Sequence, residues 1–445
     1  MQTSFTQAQL ARPEIAEADG ILRTCVHYGF CTATCPTYVL FRDENDSPRG
    51  RIDLIRAMLE KGGLPDHKTV HHLDRCLSCL SCVTTCAVKV DYTHLIDIAR
   101  NYIEKNYRRP LADRLLRAML AKTLPYPRRF AAAMRLARLA RPLAGLLPTR
   151  IGNLLELAER DARTQIVVPQ TFPAEGIRRM RVILLAGCAQ QALDAEINAA
   201  TIRVLTRHGC EVVIAHGAGC CGALPLHMGR EEEGRTLAKK TAAVWSKVPD
   251  IDAVVVNASG CGTTVKDYGH LLGDAEGKRI GAMTRDISEI LDGLDLKVTN
   301  EAYYRVAYHD ACSLQHGQRV TAPPRALLEK CGFEVVDLPE KHFCCGSAGT
   351  YNLLQPEIAQ TLGKRKAGHA ESLQPDLIAA GNLGCMVQIG RYTQLPVLHT
   401  VSLIDWATGG PFPAALYGRD LRVPAQQQIE VAPGVVAPSG DSGFW

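Results

Sequence analysis

The sequence predicts a mixed α + α/β chain: an all-α N-terminal module, a helical linker and two copies of one α/β unit. Three observations carry this. Residues 1–102 hold seven cysteines in two tight groups. Residues 103–180 hold none and are rich in Arg, Ala and Leu. Beyond residue 181, four cysteines return with a constant offset of 124: Cys188, Cys220, Cys221 and Cys261 are repeated as Cys312, Cys344, Cys345 and Cys385. Each set reads C-x31-C-C-G-x38-C, so one cysteine-rich unit has been duplicated.

The 445 residues suffice for two or three domains with their own cores. A formal charge of +5, with no aromatic and basic platform, excludes nucleic acid as the partner. The N-terminus shows no apolar signal-peptide core, and no apolar run approaches the roughly 18 residues of a membrane span. A cytoplasmic protein is therefore expected. In that reducing compartment the 17 cysteines read as metal ligands or redox thiols rather than as disulfides.

The N-terminal module is read from its cysteines. Cys76-x2-Cys79-x2-Cys82-x3-Cys86 is the spacing by which three thiolates wrap one face of a cubane cluster and the fourth is carried to a second cluster. Zinc sites use separated C-x2-C pairs instead. An earlier group, Cys25, Cys31 and Cys35, repeats the pattern with Tyr28 where a second thiol belongs. A ferredoxin-like helical module over 1–102 with two iron–sulfur clusters follows. By the crossed pattern, cluster one takes Cys25, Cys31 and Cys86, and cluster two, a [4Fe-4S] group, takes Cys76, Cys79, Cys82 and Cys35. Tyr28 leaves cluster one a thiolate short. It is expected as [3Fe-4S], as [4Fe-4S] with solvent or another side chain on the fourth iron, or with phenolate ligation.

The 103–180 segment is expected as a basic helical linker. From Arg108 to Arg150 it carries many arginines and a single acid, Asp113, and ADRLLRAMLAK and AAAMRLARLA have helical apolar spacing. Such helices suit either peripheral contact with anionic lipid or docking to an acidic partner. The repeats, 181–300 and 301–410, alternate strands and helices in a Rossmann-like manner. Strands are expected at Arg181–Ala186, Glu211–Ala215 and Ala253–Asn257, and again at Arg305–His309, Glu334–Leu338 and Leu377–Ala380. Every repeat cysteine then follows the C-terminal end of a parallel strand, where open α/β sheets build their sites. Each repeat is expected to hold an iron–sulfur cluster or zinc. Gly222 and Gly346 follow the cysteine pairs and permit a tight turn.

Cys210 and Cys331 fall outside this scheme and read as buried apolar residues. His309, His316 and His342 lie near the second set and read as loop histidines hydrogen-bonded beside the site. A vicinal redox disulfide at Cys220–Cys221 is the lesser reading. The Pro, Gly, Gln and Ser of 411–445 suggest a loosely ordered tail.

The order of these parts resembles the iron–sulfur subunit of glycolate oxidase (glycolate dehydrogenase). The resemblance rests on CVHYGFCTATCPTY (25–38), DSPRGRI (46–52), LDRCLSC (73–79), AGCCGA (218–223), ASGCG (258–262) and CCGSAGTY (344–351). It implies an electron-transfer subunit with no catalytic residue of its own. Flavin-containing dehydrogenase subunits would oxidise a 2-hydroxy acid, and this chain would pass the electrons to a quinone or other membrane acceptor on the cytoplasmic face of the inner membrane. CCG repeats also occur in heterodisulfide reductases, lactate-utilisation proteins and anaerobic glycerol-3-phosphate dehydrogenases. A lactate or glycerol-3-phosphate relay, a thiol or heterodisulfide reductase subunit and a zinc-stabilised scaffold are thus the alternatives. Three departures from these patterns stand out. Tyr28 replaces a cysteine, Ala87 replaces a proline, and Ala258 and Asn382 stand where the CCG repeats of heterodisulfide reductases each have a fifth thiol.

Overall fold

The computed structural model describes residues 1–140, 165–300 and 302–419. The middle of the expected linker (141–164) and most of the expected tail (420–445) lie outside the described residues.

Residues 1–140 form helices and their connecting turns, with no strand. Helices Pro13–Thr24, Pro48–Lys61, His67–Asp74 and Tyr92–Asn106 bury Ile15, Leu22, Ile55, Leu59, Leu73 and Leu95 in one core. Their starts are written in the sequence. Ser47, Asp66 and Asp91 accept hydrogen bonds from the backbone of Gly50, Thr69 and His94, and proline opens the first two helices.

The linker is more than a spacer. Helices Leu111–Thr123 and Pro127–Ala140 form as the apolar spacing predicts. Leu120 and Ala121 pack with Met228, Leu353 and Leu354 of the two repeats. Arg117 is buried and paired with Asp74 and Asp113. In contrast, Leu111, Leu115 and Met119 form an exposed stripe at i, i+4 and i+8.

Among the described residues, nine short strands make two sheets. The first holds β1 (Thr171–Phe172), β2 (Met180–Leu184), β3 (Cys210–Val213), β4 (Ala253–Val256) and β5 (Thr284–Asp286). The second holds β6 (Arg305–His309), β7 (Glu334–Asp337), β8 (Leu377–Ala380) and β9 (Val397–His399). Their orders are β1-β3-β2-β4-β5 and β7-β6-β8-β9. All pairings are parallel except β1 with β3. Setting β1 aside and counting from β2 or β6, both units have strand order 2-1-3-4, the structural counterpart of the sequence offset. The six expected strands are present. β1, β5 and β9 are additions to them, and β1 draws part of the expected linker into the first sheet.

The two units share one core. Val182, Leu205 and Val255 of the first lie in the same apolar cluster as Val306, Leu377 and Ile404 of the second. Cys210 and Cys331 are fully buried in that cluster, and burial pushes both thiols up to about 11. Of the expected tail, Phe412 and Leu416 pack onto the second repeat: the Phe412 ring stands 5.1 Å from Trp406, and Leu416 is buried.

Candidate metal centres

The cysteines of the N-terminal module sit in and around short helices, Phe30–Ala33, Pro36–Phe41 and Ser81–Thr85. Positive φ at His27, Gly29, Ser78 and Leu80 bends the backbone around them. Cys31 faces Cys25, Cys86 and Cys35, and burial beside these thiols pushes its pKa up to about 11. Cys82 lies near Cys79, Cys76, Cys35 and Cys31. The two expected groups adjoin: Cys31, expected in the first, neighbours both Cys35 and Cys82, expected in the second.

Tyr28 does not turn toward the thiols. It is 68 % exposed and stacks on Phe30, itself 62 % exposed, with ring centroids 6.0 Å apart. Phenolate ligation thus has no support in this geometry.

Around the second group the DSPRGRI segment forms a buried polar support that the sequence motif marks without explaining. Arg51 is 1 % exposed and lies 3.3 Å from the buried Asp46 carboxylate. Its Nε donates to the His72 carbonyl at 2.8 Å, one Nη to Thr37 Oγ1 at 2.9 Å, and the other Nη to Cys35 Sγ at 3.7 Å. Asp46 also holds Arg75 at 2.7 Å and His72 at 3.0 Å. Gly50 is required here, since a Cβ would meet the Glu44 carbonyl oxygen at 1.9 Å.

Cys76 accepts from the Ser78 N–H at 3.5 Å and from the Tyr92 hydroxyl at 3.6 Å. Burial opposes its thiolate, but the Arg51 and Arg100 guanidiniums outweigh burial and hold its pKa below the usual thiol value. Cys79 and Cys82 behave oppositely, since burial and neighbouring thiols push both well up.

In the repeats, the thiols form two matched chains of side-chain contacts: Cys188–Cys220–Cys221–Cys261 and Cys312–Cys344–Cys345–Cys385. The Cys312 and Cys344 sulfurs are 4.0 Å apart. All eight follow the C-terminal ends of strands, as expected. Gly222 and Gly346 have φ of +90° and +89° and donate N–H to Cys220 and Cys344 Sγ at 3.4 Å. Their close neighbours are the following helices, not the site interior. A Cβ would meet the Gly234 oxygen at 2.4 Å and the Ala359 oxygen at 2.7 Å. Asn382, at the position of a fifth thiol elsewhere, donates its side-chain N–H to Cys385 Sγ at 3.4 Å.

The three histidines separate. His316 Nδ1 is 2.8 Å from Thr84 Oγ1 and its Nε2 3.2 Å from the His342 carbonyl, an ordinary bridging role. His342 is half-buried, its ring edge-on to Phe343. His309 closes β6, as the expected strand Arg305–His309 has it, but it is not hydrogen-bonded beside the site: neither ring nitrogen has a hydrogen-bond partner. Lys366, which no sequence motif marks, is buried beside the second set, its Nζ donating to the Glu340 carbonyl at 2.8 Å. Burial lowers its pKa against the pull of Cys345 and Cys344.

Every cysteine is unbridged. Contacts between thiols, with burial, push Cys188, Cys221, Cys312, Cys344 and Cys345 well above the ordinary thiol range. Such crowded buried thiols release protons when a cation takes their place, which fits metal ligation. The N-terminal module docks onto both repeats. Cys79, Cys312 and Cys344 share one apolar cluster with Leu77 and Tyr351, whose hydroxyl donates to the Arg75 carbonyl at 2.9 Å. On the first repeat, His94 Nε2 lies 3.0 Å from Asp267, and Asn101 donates to Glu231.

Comparison with known proteins agrees with this arrangement. The 4Fe-4S dicluster domain family matches residues 24–90, and the cysteine-rich domain family matches 182–266 and 306–390. The glycolate oxidase iron-sulfur subunit of Escherichia coli (strain K12) is 38 % identical over 416 residues, covering 92 % of this chain and 99 % of the relative. The probable glycolate oxidase iron-sulfur subunit of Bacillus subtilis (strain 168) is 31 % identical, covering 88 % and 95 %. Lactate utilization protein A of Geobacillus kaustophilus is 31 % identical over 47 % of this chain and 90 % of its own length. A crystal structure of a hypothetical protein from Helicobacter pylori shares the fold, with a TM-score of 0.53 at 10 % identity over 91 % of this chain and 74 % of that one. Two cysteine-rich repeats behind a dicluster module, with near-complete coverage of these relatives, place the chain in the family of glycolate oxidase iron–sulfur subunits.

Proposed function

We propose that this chain is the non-catalytic electron-transfer subunit of a flavin-dependent 2-hydroxy-acid dehydrogenase, with glycolate as the acid oxidised on partner subunits. Cys25, Cys31 and Cys86 would hold one iron–sulfur group and Cys76, Cys79, Cys82 and Cys35 a [4Fe-4S] group. Each Rossmann-like repeat would hold a further metal group on its four thiols. When bound, iron–sulfur groups take up and release single electrons.

The observation that carries this reading is the apolar cluster shared by Cys79, Cys312 and Cys344, which brings the N-terminal thiols beside the second repeat. The chain's own contribution is environment. Arg51 and Arg100 bring positive charge to Cys76, and Arg51 also reaches Cys35. The Ser78 and Val90 N–H groups and the Tyr92 hydroxyl bond the sulfurs of Cys76 and Cys86. Charge, sulfur hydrogen bonds and exclusion of water are the terms that set potential.

The acceptor in this reading is a membrane quinone. Among the described residues no helix is long and apolar enough to cross a membrane. The exposed Leu111–Leu115–Met119 stripe, flanked by Arg114 and Lys122, supports peripheral contact with anionic lipid. Vesicles containing anionic lipid should carry the complex upward in flotation, and high salt should release it.

Anaerobic co-purification with quantification of iron, sulfide, zinc and flavin tests the reading. Flavin-bearing partners with iron and acid-labile sulfide are expected. Zinc without sulfide, and no flavin, would overturn it.

A further inference from the structure

The two repeats are not equivalent. Position 309 is histidine, whereas the residue 124 positions earlier is Leu185. The two sit alike in the sheets: His309 pairs across from Ala380 at the end of β6, and Leu185 follows β2 beside Val255. Leu185 is 3 % exposed and packs in the apolar cluster containing Cys188, Cys220 and Cys221. His309 is 1 % exposed, and both of its ring nitrogens lack a hydrogen-bond partner. A ring nitrogen, the Cys345 sulfur and the Cys385 sulfur all lie within 4.8 Å of one another.

A buried polar atom without a partner is costly, and folded chains rarely keep one without a use. Imidazole is a good ligand for both zinc and iron. We propose that His309 is a nitrogen ligand of the metal group in the second repeat, giving that site Cys312, Cys344, Cys345, Cys385 and His309 as its donors, while the first repeat has four thiols alone. A neutral imidazole adds no negative charge, whereas a fifth thiolate would. The second site is thereby set apart from the first in ligand chemistry, on the repeat that touches the N-terminal sites. This rests on the reading of the repeat thiols as metal ligands.

The test uses the full chain, purified anaerobically after labelling with 15N-histidine. Metal content is first compared with a Cys344→Ser, Cys345→Ser variant; an unchanged content overturns the thiol reading itself. Pulsed EPR of the reduced protein then reads iron, and X-ray absorption at the zinc edge reads zinc. A directly coordinated imidazole nitrogen is expected in one or the other, lost in His309→Leu, with metal removed by chelator about tenfold or more faster. His309→Cys should restore retention with sulfur in place of nitrogen. Loss of metal in the thiol variant, but no nitrogen ligand in the native chain, or a nitrogen signal that His309→Leu leaves in place, overturns the assignment of His309 alone.

Discussion

Cys79 of the N-terminal module and Cys312 of the second repeat, 233 residues apart in sequence, pack against the same apolar cluster of Leu77, Cys344 and Tyr351. Thr84 Oγ1 meets His316 Nδ1 at 2.8 Å beside them. The dicluster module and the second cysteine-rich repeat thus meet at their thiol-bearing faces.

Arg51 is the charge that supports the second thiol group from within the core. Arg51→Met would remove a guanidinium from Cys35 and strip Asp46 of one partner while leaving Arg75 and His72. A loss of about 3 kcal/mol is expected, measurable by denaturation. In the folded fraction, EPR redox titration should show a lower midpoint potential for that site, because positive charge favours the reduced form.

Gly222→Ala and Gly346→Ala should each cost about 1–3 kcal/mol through positive φ, with added clash against the oxygens of Gly234 and Ala359. Because the same glycines donate N–H to Cys220 and Cys344, each variant should lose metal from its own repeat and spare the other. Metal analysis of the two variants checks this.

His94 ties the N-terminal module to the first repeat and should make that contact pH-dependent. Burial opposes its charge, but hydrogen bonds to Asp267 and Asp91 outweigh burial and raise its pKa to about 10. Its ring also stacks on His270 at 3.6 Å, with Glu17 beyond. A group raised in the folded state stabilises fully below its unfolded pKa, near 6.5, and loses that contribution as pH climbs toward 10. The Tm difference between the native chain and His94→Gln should be largest near pH 6 and shrink steadily up to pH 10.

The repeat is legible in the sequence because duplication left a constant offset, and strand ends carry the cysteines to one sheet edge. β6 and β8 have the bounds expected from the sequence, Arg305–His309 and Leu377–Ala380. β1, β5 and β9 are not legible, since two or three residues make no period. Thr284 and Asp286 of β5 are polar, yet both are buried, their side chains satisfied by the Ile280 carbonyl and Ser288. The cluster shared by Cys79 and Cys312 and the core shared by the repeats are products of docking and have no local signature. Tyr28 is legible as a missing ligand, but its outward stacking on Phe30 is not. His309 ends an expected strand, but only the fold shows both of its ring nitrogens buried without a partner.

The claim that this chain passes electrons and oxidises nothing itself is tested most directly by Cys82→Ser in the complete dehydrogenase, followed by stopped flow with glycolate and then with quinone. Flavin reduction by glycolate should keep its native rate while quinone reduction falls to background. Quinone reduction at the native rate, or equal loss of flavin reduction in a folded complex, would contradict the account.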